Sequence, residues 1–292
     1  MKNIVIIPNS YKDRGYEVTR SVAGALQGHG ANVYVSEGLR DDLLMSGIHY
    51  YDGGLPQNAE AILVIGGDGS VLDAAVYAIG AGIPLIGLNL GRLGYLAELD
   101  MSEIDSLSRL VNDDFEIREY ITFAVSIVRG GAETLLDRYA VNDVVLSQGE
   151  GEGLSEILFD DGVGDRFSYL ADGIIVATPL GSTAYSLAAG GPVIDAALDA
   201  FCVTPICAHT LFSRSLLLPP DHVVSLKNCS MREGLMRLTV DGGEGYTLAP
   251  GESVRIYRSD KRLRMITLKK HSALGVLCRK MQILNPHNER TE

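Results

Sequence analysis

Ala61-Ile62-Leu63-Val64-Ile65 runs directly into Gly66-Gly67-Asp68-Gly69-Ser70, and then into Val71-Leu72-Asp73-Ala74-Ala75-Val76. A β-type apolar run, a glycine-rich turn and a helical pattern in direct succession make one strand–helix unit. Repetition of that unit implies a parallel, doubly wound sheet with ligands at the carboxyl ends of its strands. Glycine lets the backbone approach an anion closely, and a helix N-terminus offers unpaired N–H groups and a favourable dipole, so this turn suits phosphate. Asp68 in its middle would repel a phosphate, which makes sense if Asp68 handles a proton or a magnesium ion. A tight turn with Asp68 as a helix cap accounts for the segment equally well.

The first third of the chain repeats the pattern. Ile4–Ile7, Ala31–Val35, Ala61–Ile65 and Pro84–Leu88 read as strands. Arg14–His29, Val71–Ile79 and Ser102–Val111 read as helices, the last with Ser102 as N-cap and Glu103 and Asp105 in its first turn. The character changes near Glu119, after which short strand-like runs alternate with turn residues: Thr122–Arg129, Thr134–Asp137, Ala140–Leu146, Glu156–Phe159, Gly173–Ala177, His222–Leu226, Met236–Val240, Val254–Tyr257 and Arg264–Leu268. One helix opens at Thr183, and Ser272–Met281 has an amphipathic helical pattern. At 292 residues the chain holds one large domain or two ordinary ones. The expected division is an α/β domain over 1–118, to which 271–292 returns, and a β-rich domain over 119–270.

Composition excludes several classes. A net charge of −12 argues against a surface that tracks nucleic-acid phosphates, while leaving room for a small anionic ligand held by local groups. Cys202, Cys207, Cys229 and Cys278 form no CxxC pair and have no histidine at zinc spacing, which fits scattered thiols in a reducing cytoplasm. The apolar run after Met1 is too short for a signal core, and Ala74–Gly91 and Gly173–Ile194 are broken by Gly and Pro. A cytoplasmic protein without membrane or nucleic-acid partners is expected.

Two further elements carry chemistry. Asp172–Ser186 is a strand running into a loop dense in Gly and hydroxyls, able to bind a second phosphate or a ribose edge, or to be a β turn with Ser or Thr caps. Asn142-Asp143 lies on or beside a strand: Asn suits an adenine edge and Asp a ribose diol, yet the pair also reads as polar residues at a strand end.

In combination these segments resemble the bacterial NAD kinase family. The resemblance rests on GGDGS, Asn142-Asp143, DGIIVATPLGSTAYSLAAGGPVI (Asp172–Ile194), TPICAHTL (Thr204–Leu211) and TVDGGEG (Thr239–Gly245), in that order. Pro8-Asn9 with Lys12, and GLNLGRLGYLAEL (Gly87–Leu99), extend it over nearly the whole chain. It implies a Rossmann-like α/β amino-terminal domain, a β-rich, sandwich-like carboxyl-terminal domain and a dinucleotide bound between them in a homodimer or homotetramer. It further implies transfer of the γ-phosphoryl of ATP to the 2′-hydroxyl of the adenosine ribose of NAD. Mg²⁺, or another divalent cation, would sit on the phosphates, with no direct protein ligand assigned.

By match of motif, Asp68 is the proton acceptor, and Gly69, Asn142, Asp143, Asp172, Thr183, Ala184, Tyr185, Ser186 and Ala188 contact NAD. Gly66, Gly67 and Ser70 would hold phosphate. Lys12 would add a cation there, or be a solvated loop lysine. Leu180, Ala188, Ala208 and Gly243 depart from the family's usual Thr or Ser, Ser, Pro and Gln, removing possible side-chain hydrogen bonds. A GGDG-type kinase of a lipid or sugar, and a non-catalytic NAD(P) sensor, are the alternative readings.

Overall fold

A parallel strand covered on both faces reads as an unbroken apolar run, which is why the first strands are so plain in the sequence. The computed structural model describes residues 1–91, 94–149, 155–210, 213–230 and 234–269. Arg92, Leu211, Cys278, the expected helix Ser272–Met281 and the expected return of 271–292 lie outside the described residues. The described chain divides into two compact units, one of Met1–Glu119 with the described residues from Leu263 onward, and one of Tyr120–Arg262.

In the first unit β1 (Asn3–Pro8), β2 (Asn32–Ser36), β3 (Ile48–Tyr51), β4 (Ala61–Gly66) and β5 (Leu85–Asn89) lie parallel in the order β5-β4-β1-β2-β3, and a two-residue β6 (Leu99–Asp100) joins β5. All residues of β4 and β5 are buried. α1 (Glu17–Gly28) buries Val22 and Leu26, as its apolar spacing predicts. α2 (Arg40–Leu43), α3 (Asp68–Ala81) and α4 (Leu107–Val111) complete the layers. Ile4, Ile6, Leu63, Ile65, Ile86, Leu88, Leu107 and Leu110 share one core.

Three local expectations are corrected. α3 starts at Asp68 rather than Val71, because the Val71 N–H already donates to the Gly67 carbonyl at 3.1 Å. Gly67, in extended conformation, is the cap position, so Asp68 is not the cap but the first helical residue. The helix expected from Ser102 is a 3₁₀ segment, Met101–Ser106, followed by α4, and its cap is Asp100. The Asp100 carboxylate accepts the Ser102 N–H at 2.8 Å, and Glu103 accepts the Asp100 N–H at 3.0 Å, a reciprocal capping box.

The second unit is antiparallel. Its strands are β7 (Glu116–Arg129), β8 (Ala132–Ala140), β9 (Asp143–Gln148), β10 (Ser155–Asp160), β11 (Arg166–Ala171), β12 (Gly173–Ala177), β13 (Phe201–Ile206), β14 (Leu216–Leu218), β15 (Val223–Asn228), β16 (Met236–Val240) and β17 (Tyr246–Leu248), with β18 (Ser253–Thr267) following. One sheet runs β14-β13-β12-β9-β16-β17; in the other, β11-β10-β15 lead to β18, which also pairs with β7. Alternate residues of both sheets meet in a single core, among them Leu146, Val176 and Leu238 from the first and Phe159, Leu226 and Ile256 from the second. Phe123 of β7 stacks on Phe201 of β13 at 4.3 Å, 9° from parallel. A 3₁₀ segment, Leu180–Thr183, precedes the one-turn α5 (Tyr185–Ala188).

Val254–Tyr257 and Arg264–Leu268, expected as two strands, fall on the single strand β18, which ends at Thr267. The polar stretch between them is ladder rather than loop, and Met265 pairs in parallel with Leu85 of β5. Among the described residues no helix is long and apolar enough to cross a membrane.

Gly87 holds β5 against α3 at short range. A Cβ there would lie 2.9 Å from both Ala97 Cα and Val71 Cγ2. Gly87→Ala is expected to destabilise the first unit by about 1–3 kcal/mol through overpacking, read as a lower denaturant midpoint in chemical unfolding.

Candidate active site

β1, β4 and β5 end level with one another, since Pro8 pairs with Ile65 and Gly66 with Asn89. Asn9 follows β1 and ties these ends together. Its N–H donates to the Ile65 carbonyl (2.8 Å) and its Nδ2 to Ser70 Oγ (2.7 Å), while its Oδ1 accepts the N–H groups of Tyr11 and Lys12 (both 3.1 Å). That turn folds the exposed Lys12 back over the glycines: a Cβ at Gly67 would stand 2.5 Å from its Nζ. An ammonium therefore occupies the place of a side chain. It lies beside a helix N-terminus whose first-turn N–H groups have no intrahelical acceptor, and the combination suits an anion.

The Asp68 carboxylate is fixed from another loop. It accepts the N–H groups of Tyr95 (2.7 Å) and Leu96 (3.0 Å). Gly94 permits this approach, since a Cβ there would lie 2.0 Å from Oδ1. Burial, and then the neighbouring Asp68 charge, raise the Tyr95 hydroxyl above its ordinary pKa.

In the second unit the chemistry lies on one face of a sheet. Strand alternation turns Val144 and Leu146 of β9 and Leu238 and Val240 of β16 into the core. Asp143, Val145 and Ser147 therefore share the opposite face with Arg237 and Thr239, the strands in register at Val145↔Thr239 and Ser147↔Arg237. With Asn142, Ala184, Tyr185 and the turn of Asp241, Gly242 and Gly243, they line a cavity of about 390 Å³. Its wall combines an aromatic face, an amide, carboxylates and a guanidinium, which matches the needs of a nucleoside.

The Asn142–Asp143 corner is held from two sides. Thr178 Oγ1 donates to the Val141 carbonyl (2.6 Å) and the Thr178 N–H to the Asn142 carbonyl (2.8 Å). Gly181 packs on the same peptide so closely that a Cβ would lie 2.0 Å from the Asn142 oxygen. Opposite, the Asp241 carboxylate accepts the N–H groups of Val141 (2.8 Å), Asn142 (2.7 Å) and Asp143 (2.9 Å).

Asp143 and Asp241 form an acidic pair. Burial, and then the Asp241 charge, push the Asp143 carboxyl up to about 7. Burial also raises Asp241, against which its three N–H donors and the Arg138 guanidinium pull downward. Both carboxyls are raised, so the pair resists carrying two charges at once.

Of the residues named from the sequence, Asn142, Asp143, Ala184 and Tyr185 meet in this cavity, and Asp68, Gly66, Gly67, Gly69, Ser70 and Lys12 gather in the first unit's turn. Asp172, Thr183, Ser186 and Ala188 are not among the cavity's lining residues. Asp172 precedes Gly173 at the far end of β12, where its backbone bridges Gln148 and Ile206. Ser186 is buried, its hydroxyl paired with Thr204 Oγ1 at 3.0 Å beneath the loop. Asp241, Arg237 and Thr239 were not singled out, although the segment TVDGGEG marks the place; an acid directly before two glycines at a strand end was the available signal.

Family models match both parts of the chain: the ATP-NAD kinase N-terminal domain over residues 4–115 and the ATP-NAD kinase C-terminal domain over residues 141–268. The NAD kinase of Caldanaerobacter subterraneus subsp. tengcongensis is 35% identical over 285 residues, 95% of this chain and 98% of that one. The NAD kinase of Geotalea daltonii is 32% identical over 286 residues, 97% and 99% of the two chains. Among solved structures, yeast NADH kinase complexed with NADH superposes with a TM-score of 0.83 at 21% identity, covering 100% of this chain and 89% of that one. An NAD kinase from Archaeoglobus fulgidus in complex with ATP gives 0.70 at 18% identity, over 97% and 99%. At these identities the two structures establish the fold.

The Asp143 carboxyl titrates higher in the fold than the roughly 3.9 of a free aspartate, so between about pH 4 and 7 the folded state holds a proton that the unfolded chain lacks. Its contribution to stability is full below that window and is lost as pH rises through it. Asp143→Asn cannot ionise. Its melting temperature relative to wild type is expected to rise from about pH 4 to 7 and then level off in thermal denaturation; a pH-independent difference would contradict the shift.

Proposed function

Because the chain belongs to the ATP-NAD kinase family, we infer that it phosphorylates NAD at the expense of ATP, as a phosphotransferase acting on an alcohol group. The γ-phosphoryl passes to the 2′-hydroxyl of the adenosine ribose, giving NADP. The observation that carries this reading is near full-length similarity to NAD kinases in a chain that keeps a Lys12-capped glycine turn and a carboxylate-lined cavity. The similarity does not favour a lipid or sugar kinase, or a sensor without catalysis.

Residue roles follow from the chemistry. A ribose hydroxyl is a poor acid, and Asp68 is assigned to steer it and accept its proton, a contribution of roughly 100- to 10,000-fold in rate. The N–H groups of Tyr95 and Leu96 fix the carboxylate's direction. Positioning and charge neutralisation carry more of the barrier, since phosphoryl transfer has a loose transition state. Lys12, Gly66, Gly67, Gly69 and Ser70 are assigned to the phosphates. Asn142 and Asp143 are assigned to the adenine and ribose of NAD, with Tyr185 and Ala184 against the base. Asp172, Thr183, Ser186 and Ala188 keep the assignment to NAD that the resemblance gives them, outside the lining of this cavity.

Mg²⁺ is assigned to the ATP phosphates, whose oxygens suit a small, octahedral, partly hydrated ion. Among the described residues no group of three or more His, Cys, Asp or Glu side chains is placed to hold a metal, so no protein ligand is named. Bound there, the ion would neutralise charge on the transferring phosphoryl. A homodimer or homotetramer is carried over from the resemblance. A cytoplasmic location is supported by the free thiols of Cys202, Cys207 and Cys229.

Incubation with NAD, ATP and Mg²⁺ is expected to yield a dinucleotide bearing a 2′-phosphate, detectable by chromatography, and a chelator should stop the reaction. Asp68→Asn is expected to lower kcat by about 100-fold or more with KM for NAD within a few-fold. A pure KM effect would instead assign Asp68 to holding Tyr95 and Leu96. Lys12→Met is expected to raise KM for ATP by roughly tenfold or more, the scale of one hydrogen bond to a charged group; an unchanged KM would make Lys12 a solvated loop residue.

A further inference from the structure

Asp241 does more than line the cavity. It adopts a φ of +50°, uncommon for any residue but glycine and best tolerated by Asn and Asp. From that conformation its carboxylate takes three consecutive amide N–H groups, those of Val141, Asn142 and Asp143, at 2.7–2.9 Å. Its own N–H donates back to the Asp143 carbonyl at 2.9 Å, closing the corner. Three successive donors converging on one anion form an anion-binding concavity, here filled by a side chain from β16's end.

A glycine shapes the neighbourhood of this carboxylate. Gly243 has no side chain, and the Arg138 guanidinium of β8 fills the space: a Cβ at Gly243 would lie 2.2 Å from Nη1 and 2.7 Å from Cζ. Arg138 is the cation that favours the charged form of Asp241. Among the described residues, the other ionisable groups lining the cavity with Asp241 are Asp143 from β9, Arg237 from β16 and Tyr185 from α5.

We propose that Asp241 is a positioning residue for NAD. It sets the Asn142–Asp143 corner through three amides, with Arg138, seated on Gly243, as its counter-charge. The inference rests on the assignment of Asn142 and Asp143 to NAD. An amide cannot replace this carboxylate, because its NH₂ would face one of the three N–H donors. The geometry therefore ties NAD binding, not the phosphoryl step, to the charge at position 241.

The test compares Asp241→Asn, Arg138→Met, Gly243→Ala and Asn142→Ala in steady-state kinetics across pH. Asp241→Asn should raise KM for NAD about ten- to a hundredfold, with kcat and KM for ATP within about threefold. It also removes the negative neighbour of Asp143, so the midpoint of the pH dependence of kcat/KM for NAD should move to lower pH, which loss of packing alone would not produce. Arg138→Met and Gly243→Ala leave the three amide bonds in place and should raise KM for NAD by a smaller factor; they decide the matter if Asp241→Asn does not fold. An unchanged KM for NAD in Asn142→Ala would overturn the assignment of the corner to NAD. A raised value there, with wild-type KM and pH midpoint in Asp241→Asn, or with wild-type KM in both milder variants, would overturn the positioning role of Asp241.

Discussion

The carbonyl oxygen of Asn142 lies where a side chain at position 181 would have to be. That backbone-on-backbone approach is the constraint on which the second unit's site depends. It lets the loop after β12 lie flat on the corner before β9, and it puts Thr178 within reach of the Val141 and Asn142 peptides. With carbonyls bound on one side and amides taken by Asp241 on the other, the corner has little freedom left. A binding wall built this way is preorganised, because its polar groups are oriented before any ligand arrives.

The first unit applies a related device to a different end. Its strands finish level, so three connecting segments meet over one turn. Gly67 leaves room for an ammonium and Gly94 for a carboxylate, so each charge is brought close to a backbone segment without a side chain between. Glycines here serve approach rather than flexibility, and the charges they admit are those phosphoryl transfer uses.

What could be read in the sequence was local. β4, β5 and the Gly66–Ser70 turn were legible because each is marked by its own residues: an apolar run buried on both faces, then glycines. The start of α3 was missed because it is decided by one backbone bond to Gly67, which no residue type announces. β13 was hidden by Pro205. β14 covers only Phe201–Val203, so the missing N–H falls where β13 has no neighbour on that side. β3, β14 and β17 are three or four residues long and lack a continuous buried run. Asp143 could be suspected from its motif, but Asp241 gains its role from amides about a hundred positions earlier, a relation visible only in space. Conversely Ser186, plausible as a ligand contact by type, is turned inward to Thr204.

The tether between Asp68 and the amides of Tyr95 and Leu96 has a dynamic corollary. The oxygen atoms assigned to receive a proton are lashed to a connecting loop as well as to the head of α3, and so inherit the thermal displacement of both. Stiffening or loosening that loop will alter how often the group is aligned with its hydroxyl, while every reacting atom stays the same.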